Sequence, residues 1–514
     1  MRFHFLTAIL SEVTALSKYA CAEWVSGTTR RKEMSKLIVL SNRVSLPNPD
    51  KPAAGGLAVA LQDALTESGG IWLGWNGEIV ADGEATPFGR LQQGDIEYLT
   101  CPLNQTQYAQ YYCGFANNTL WPAMHERQDL IEYQTEEFET YQQVNHNFAV
   151  QLQQIAKPDD VIWIHDYHFF SVARHCRELG MRNKIGFFLH IPFAPLNIWA
   201  QIPVAKQLLA DLCHYDLIGL QTEYDQNLCI QACTSLLKAP KIQQNLISYQ
   251  QRVCAINCYP IGINPLHIQH VAQHYAKKEQ QVFEPESLQQ KTIIGVDRVD
   301  YSKGILERFD AFAEFLNQYP EYQQRITELQ IACPCRMDIL AYQNLFNQVN
   351  RTVEKINATY ARHNWRPIDC THEVVGHEAL MGLYRQTDIC WISSLRDGMN
   401  MVAKEYIAAQ DPDNPGVLIL SRYAGAAEQM QEAILVDPTD TQAMVDALKQ
   451  AIEMPRAERI ERYQKLMAGL QAYDINDWRN HILTDLRKNY ALNSSAPDSS
   501  KSSVRVVNQA YTLL

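Results

Sequence analysis

Eight short apolar runs, at 37–40, 161–164, 185–189, 217–220, 292–296, 329–332, 389–392 and 417–420, are mostly continuous rather than alternating. An alternating strand keeps one face in water, whereas a continuous one is covered on both, as in parallel sheets whose crossover helices pack on either side. Helical stretches such as 57–65, 208–212 and 443–452 lie between them, and no solenoid-type repeat interrupts the alternation. The fold class is therefore α/β, doubly wound. At 514 residues the chain exceeds one core and fits two domains. Tyr259-Pro260-Ile261-Gly262-Ile263-Asn264-Pro265 gathers two prolines and a glycine, which sets the break there. The expected plan is two Rossmann-like domains, 34–262 and 263–460, facing one cleft, followed by helices over 461–490.

The ends read differently. Residues 1–33 carry only a brief apolar run broken by Glu12, a poor secretory signal, and Met34 directly precedes the first strand, so 1–33 is expected to be a non-structural leader. Residues 493–503 are rich in Ser with Pro and Asp, and 491–514 is expected to be a disordered tail. No stretch is long and apolar enough to span a bilayer as a helix. With 57 acidic against 45 basic residues, no long-range field draws the chain to nucleic acid or anionic lipid. Thirteen scattered cysteines suggest reduced thiols, a cytoplasmic location and no metal framework.

Chemistry gathers where the runs end. Ser41-Asn42-Arg43, His165-Asp166-Tyr167-His168, His190-Ile191-Pro192-Phe193, Asp297-Arg298-Val299-Asp300-Tyr301-Ser302-Lys303-Gly304 and Cys333-Pro334-Cys335-Arg336 each follow an apolar run. Open α/β sheets bind ligands outside the carboxyl ends of their strands. Arg43, Arg298, Lys303 and Arg336 in an acidic chain point to phosphates, for which Arg offers a planar fork and Lys a compact charge. After the run at 389–392 comes Leu395-Arg396-Asp397-Gly398-Met399-Asn400-Met401-Val402-Ala403-Lys404-Glu405. A helix beginning at Gly398 would place Asp397 at its phosphate-binding N-terminus and Glu405 about two turns on, on the same crevice. Gly55-Gly56 leaves a side-chain-free turn before a helix, and Tyr111-Tyr112, Phe115 and Trp121-Pro122 form an aromatic-rich loop suited to the apolar faces of sugars.

Together these residues resemble the trehalose-6-phosphate synthases, retaining glycosyltransferases of the GT-B type in glycosyltransferase family 20. The resemblance runs from about residue 34 to 486 and rests on motifs in one order: Ser41-Asn42-Arg43, Ala54-Gly55-Gly56-Leu57, Gly74-Trp75-Asn76-Gly77, Leu120-Trp121-Pro122, Trp163 to His168, Phe187 to Phe193, Arg298 to Gly304 and Leu395 to Asn400. It implies transfer of glucose from UDP-glucose, with GDP- or ADP-glucose as donor variants, to glucose 6-phosphate. The acceptor would meet Arg43, Trp75, Tyr112, Trp121, Asp166 and Arg336, and 34–262 would be the acceptor domain. The donor would meet Gly56, His190, Arg298, Lys303, Ile331, Val375, Asp397, Gly398, Met399, Asn400, Met401, Val402 and Glu405, with 263–460 the nucleotide-sugar domain. Asp166, His190, Arg298, Lys303 and Asp397 would be the catalytic set, and the helices of 461–490 would cross back to the first domain.

The resemblance further implies a front-face substitution in which the departing phosphate takes the acceptor's proton, with no cofactor and no metal. It implies a homo-oligomer, a dimer or tetramer, and a separate trehalose-6-phosphate phosphatase. Two positions depart from the family pattern: Cys335 stands where Ser or Thr is frequent, and Val375 where an aromatic is frequent. A sibling enzyme making glucosylglycerol phosphate would share the donor half and differ around Arg43, Tyr112 and Trp121. An inactive sugar-phosphate sensor would keep the fold without the intact Asp397, Glu405, Arg298 and Lys303.

Overall fold

The computed structural model describes residues 35–44, 46, 61–62, 65–66, 69–276, 290–362 and 365–488. The expected leader, the Gly55-Gly56 turn and the tail lie outside them, as does most of the helix expected at 57–65. The described residues from Lys36 onward form one compact unit built on two sheets.

The first sheet contains β1 (Leu37–Arg43), β2 (Gly70–Val80), β3 (Gly89–Gln93), β4 (Ile96–Asn104), β5 (Val161–His165), β6 (Lys184–Phe188), β7 (Leu217–Leu220), β8 (Lys241–Gln243), β9 (Leu246–Tyr249) and β10 (Arg252–Cys258). Their order is β3-β4-β2-β1-β5-β6-β7-β10-β9-β8, with antiparallel pairs only at the two edges. The second sheet contains β11 (Lys291–Arg298), β12 (Ile326–Cys333), β13 (Ile368–Thr371), β14 (Ile389–Ile392), β15 (Val417–Ser421) and β16 (Ile434–Val436). It is parallel throughout, in the order β13-β12-β11-β14-β15-β16. All eight apolar runs are strands, and their inner residues are buried as two-sided cover requires.

Strand order reverses between β1 and β5 and again between β11 and β14. Those crevices are the switch points at which doubly wound sheets take ligands. In the second sheet Arg308 braces the strands from beneath. Its fully buried guanidinium donates to Glu328 at 2.9 Å, Asp297 at 3.0 Å and Ser393 Oγ at 2.8 Å, joining β12, β11 and the end of β14. A buried charge is tolerable when satisfied on every side, and removing one partner strands the rest.

The last helix, Ile475–Leu486, starts from a reciprocal cap between Asp474 and Asp477. It leaves the second lobe and packs on the first: Trp478 lies 5.0 Å from Trp163 and 5.1 Å from Phe188, ring centre to ring centre. Ile475, Trp478, Ile482 and Leu486 form its buried face. A Cβ on Gly186 of β6 would come 2.8 Å from Leu486 Cδ2, so glycine lets this helix sit close against the sheet.

Candidate active site

The switch points of both sheets open on one cavity of about 740 Å³, ample for two small polar ligands. Arg43, Tyr112, Trp121, Asp166 and His190 line it from the first lobe. Arg298, Lys303, Ile331, Arg336, Val375, Asp397, Met399, Asn400, Met401, Val402 and Glu405 line it from the second. Of the remaining expected residues, Gly56 lies outside the described residues, while Trp75 and Gly398 stand behind the wall.

The aromatic segment is not a loop. It forms a π-helix, Gln107–Leu120, running into a short α-helix, Trp121–Met124, and the Trp121 N–H donates to the carbonyl of Ala116 five residues back. A turn closed over five residues holds about 4.4 residues instead of 3.6. Tyr112 and Trp121, nine positions apart, therefore return to one side after two turns, whereas α winding would set them on opposite sides. Wide winding is how this segment presents both rings to the cavity. Tyr111 points inward and donates to Asn42 Oδ1 at 2.7 Å.

Over the Trp121 ring, at 3.8 Å from its centre, lies the Arg336 guanidinium, a cation on an aromatic face. It donates to Asp300 Oδ2 at 3.1 Å, Tyr342 Oη at 2.5 Å and Tyr167 Oη at 3.1 Å. Arg336 has φ +48, a left-handed value that non-glycine residues seldom adopt, and this ring of contacts holds it there. Burial penalises the Asp300 carboxylate, but Arg336 and Arg298 outweigh it and hold the carboxyl at about 2. Arg298, at the end of β11, has its guanidinium 5.4 Å from the centre of the Trp121 ring.

Arg43 ends β1 with its guanidinium 5.1 Å above Trp75. Trp75 also leans on Tyr112 at 5.5 Å, so it is the platform under two cavity residues rather than a lining residue. Gly77 makes the placement possible. Its φ is +90, and a Cβ there would lie 1.4 Å from Arg43 Nη1.

On the other side Asp397 accepts from Lys303 Nζ at 2.5 Å, Asn400 Nδ2 at 3.0 Å and Ser394 Oγ at 3.2 Å. Burial alone would raise its carboxyl; Lys303 and Asn400 prevail and hold it below the ordinary carboxylate value. The helix expected from Gly398 begins three residues later, at Met401, capped by the Asn400 side chain on the N–H of Ala403. The reason is that Asp397 N–H and C=O are committed to Tyr423 and Gly425. Gly398 in turn is pressed on the first lobe, where a Cβ would lie 2.1 Å from the carbonyl oxygen of His190. Glu405, in the second turn, still reaches the cavity and sits 3.2 Å from His377 Nε2. That hydrogen bond raises the His377 value against the opposing effect of burial.

Between the lobes lie Asp166 and His190. Asp166 has φ +76, and burial lifts its carboxyl to about 6 despite hydrogen bonds from the Tyr167 and His190 N–H groups. Burial pushes the His190 imidazole down to about 3, so it is neutral. His377, Asp300 and Tyr167 were not singled out from sequence as site residues. Each touches a residue that was; Tyr167 and Asp300 lie in segments that follow apolar runs, whereas His377 does not. Among the described residues no three His, Cys, Asp or Glu side chains cluster as metal ligands. Asp411 and Asp413 form a local turn, with the Asp413 N–H on Asp411 Oδ1 at 3.1 Å.

The model of glycosyltransferase family 20 matches residues 34–488. The trehalose-6-phosphate synthase of Sodalis glossinidius is 40% identical over 455 residues, covering 88% of this chain and 96% of its own. An alpha,alpha-trehalose-phosphate synthase (UDP-forming) from Burkholderia xenovorans, solved in complex with glucose-6-phosphate, superposes with a TM-score of 0.85 at 39% identity, covering 88% of this chain and 100% of that one. The E. coli protein solved with UDP-2-fluoro glucose gives 0.82 at 37% identity, covering 89% and 100%.

Proposed function

The chain belongs to glycosyltransferase family 20, and from that premise we propose that it joins glucose from UDP-glucose to glucose 6-phosphate, releasing UDP and α,α-trehalose 6-phosphate. One observation carries the reading beyond the similarity. A single cavity sets a phosphate-type corner, Arg336 on Trp121 with Arg43 nearby, beside a corner where Lys303 holds Asp397 and His377 holds Glu405.

Breaking the anomeric C–O bond leaves an oxocarbenium-like sugar and puts negative charge on the departing diphosphate. Fixed donors aimed at that charge act most strongly in the transition state. Arg298 and Lys303, at the end of β11 and in the turn after it, are those donors. Met401 and Val402 open a helix whose first N–H groups have no partner within the helix, which adds favourable dipoles. Asp397 is already gripped by three donors and held anionic, which suits it to accept sugar hydroxyls. A retaining hydrolase would instead use a carboxylate nucleophile and a carboxylic acid about 5 Å apart. The departing phosphate can itself take the acceptor's proton, so the reaction runs on one face of the sugar. Because cationic side chains meet the leaving charge, metal independence belongs to the proposal, and turnover should be unchanged by a chelator. A cytoplasmic dimer or tetramer, acting ahead of a separate phosphatase, completes it; light scattering on the purified protein reads the assembly.

The test is nucleoside diphosphate release from UDP-, GDP- and ADP-glucose, each with and without glucose 6-phosphate. Release from UDP-glucose that depends on glucose 6-phosphate is expected. Release independent of the acceptor would make the protein a hydrolase and end the proposal.

A further inference from the structure

His165 ends β5 and is completely buried. Its ring packs 4.5 Å from Trp163 and 5.3 Å from His190, centre to centre, and its Nδ1 lies 3.0 Å from His190 Nε2. Its other nitrogen, Nε2, has no hydrogen-bond partner among the described residues. The next residue, Asp166, takes the backbone N–H of His190 at 3.4 Å. Two consecutive residues therefore hold His190, one by its ring and one by its backbone, where it lines the cavity.

Between two neutral imidazoles one nitrogen must donate and the other accept. Two arrangements satisfy the contact. If His190 Nε2 carried the proton, His165 Nδ1 would accept and the His165 proton would sit on Nε2, as a buried N–H without a partner. If His165 Nδ1 carries the proton, only a bare lone pair is left at Nε2. Orphaned buried N–H groups are the rarer and costlier kind. We propose that His165 is a positioning residue that donates from Nδ1 to His190 Nε2, fixing His190 as its Nδ1–H tautomer so that it offers the cavity ligand a donor.

The proposal rests on the glucosyl-transfer reading only for its kinetic consequence: His190 would donate to an oxygen of the transferred sugar while staying uncharged beside the developing oxocarbenium. Burial pushes both imidazoles down, His165 well below the ordinary value and His190 to about 3. Neither proton is then exchanged for a second charge in the working range. Trp163, Phe188 and Trp478 surround the pair. The carboxylate of Asp166 engages the His190 backbone N–H.

The direct test is nitrogen-15 NMR of the histidine-labelled protein, with His190 assigned by comparison with His190→Gln. A protonated Nδ1 and a bare Nε2 at His190 are expected, with the proton of His165 also on Nδ1; the reverse tautomer at His190 overturns the inference. This readout needs no activity, so its failure is distinct from failure of the proposed reaction. The kinetic test uses two substitutions. His165→Asn puts an amide donor where Nδ1 stands and should retain turnover within a few fold. His165→Leu fills the space without a donor and should lower turnover by about tenfold to a hundredfold, the usual cost of losing such a support, with the UDP-glucose KM little changed. Equal turnover in the two variants would contradict the donor role.

Discussion

The two corners of the cavity are built in different ways. At the acceptor corner Arg336 comes from the second lobe, while the Trp121 ring beneath it and the Tyr167 hydroxyl beside it come from the first. Nearby, Tyr108 Oη donates to Asp338 Oδ2 across the same divide at 2.5 Å. At the donor corner, Lys303 with Asp397 and His377 with Glu405 all belong to the second lobe. The side-chain pairs at the donor corner thus lie within one lobe, with His190 of the first lobe facing the same cavity, and the acceptor corner exists only when two lobes meet. Most residues expected at the donor therefore come from the second lobe, whereas the acceptor corner needs both lobes.

The strongest way to break this comparison is to loosen the lobes. Trp478→Ala, deep between Trp163 and Phe188, should cost about 3 to 5 kcal/mol of stability, measured by denaturant unfolding. In calorimetry the surviving native protein should lose glucose 6-phosphate affinity more than UDP affinity; equal losses would contradict a nucleotide site held mainly by the second lobe.

Next in size is Arg336→Ala. A buried, hydrogen-bonded charge contact is worth about 2 to 5 kcal/mol, and the loss should appear in glucose 6-phosphate binding with UDP binding nearly unchanged. A matching loss of UDP affinity would place Arg336 at the donor. Arg298→Ala should then sharpen the distinction between binding and chemistry. Turnover should fall by about a hundredfold or more, as when one preorganised donor is removed from a developing charge, while UDP-glucose affinity changes less.

The smallest effect concerns pH at the donor corner. The His377 value is raised by its hydrogen bond to Glu405, so the charged pair stabilises the fold fully below the ordinary histidine value, about 6.5, and is lost as pH rises through the raised one. With the His377 side chain 26% exposed, screening limits the gain to about 0.5 to 1 kcal/mol. Thermal unfolding of His377→Gln should therefore show a deficit at pH 6 that disappears in alkaline buffer. A constant deficit would mean that packing, not charge, is what His377 contributes.

Much of this cavity was legible because its residues follow apolar runs. Arg43, Asp166, His190, Arg298 and Arg336 are found simply by asking what comes after a strand covered on both faces. The second and fourth strands were not found that way. β2 carries Gly70, Gly74 and Gly77, which interrupt its apolar run, although those glycines exist because neighbours come too close: a Cβ on Gly74 would lie 2.1 Å from the carbonyl of Ser41. The π-helix escaped because its Tyr112 to Trp121 spacing fits neither the α nor the β period. The helix start was misplaced because tertiary pairing of Asp397 with the 423–425 segment overrides the local preference of Gly398 for a helix entrance. His377 and Asp300 were invisible as partners because pairing across a sheet leaves no mark in linear spacing.

The central claim, that this cleft transfers glucose with retention between two separately held substrates, is tested most directly by proton NMR of a reaction mixture. UDP-glucose alone should remain intact. Adding glucose 6-phosphate should consume it and produce a disaccharide phosphate with both anomeric centres α. A β signal at the transferred glucose, or free glucose appearing before the acceptor is added, would contradict the account.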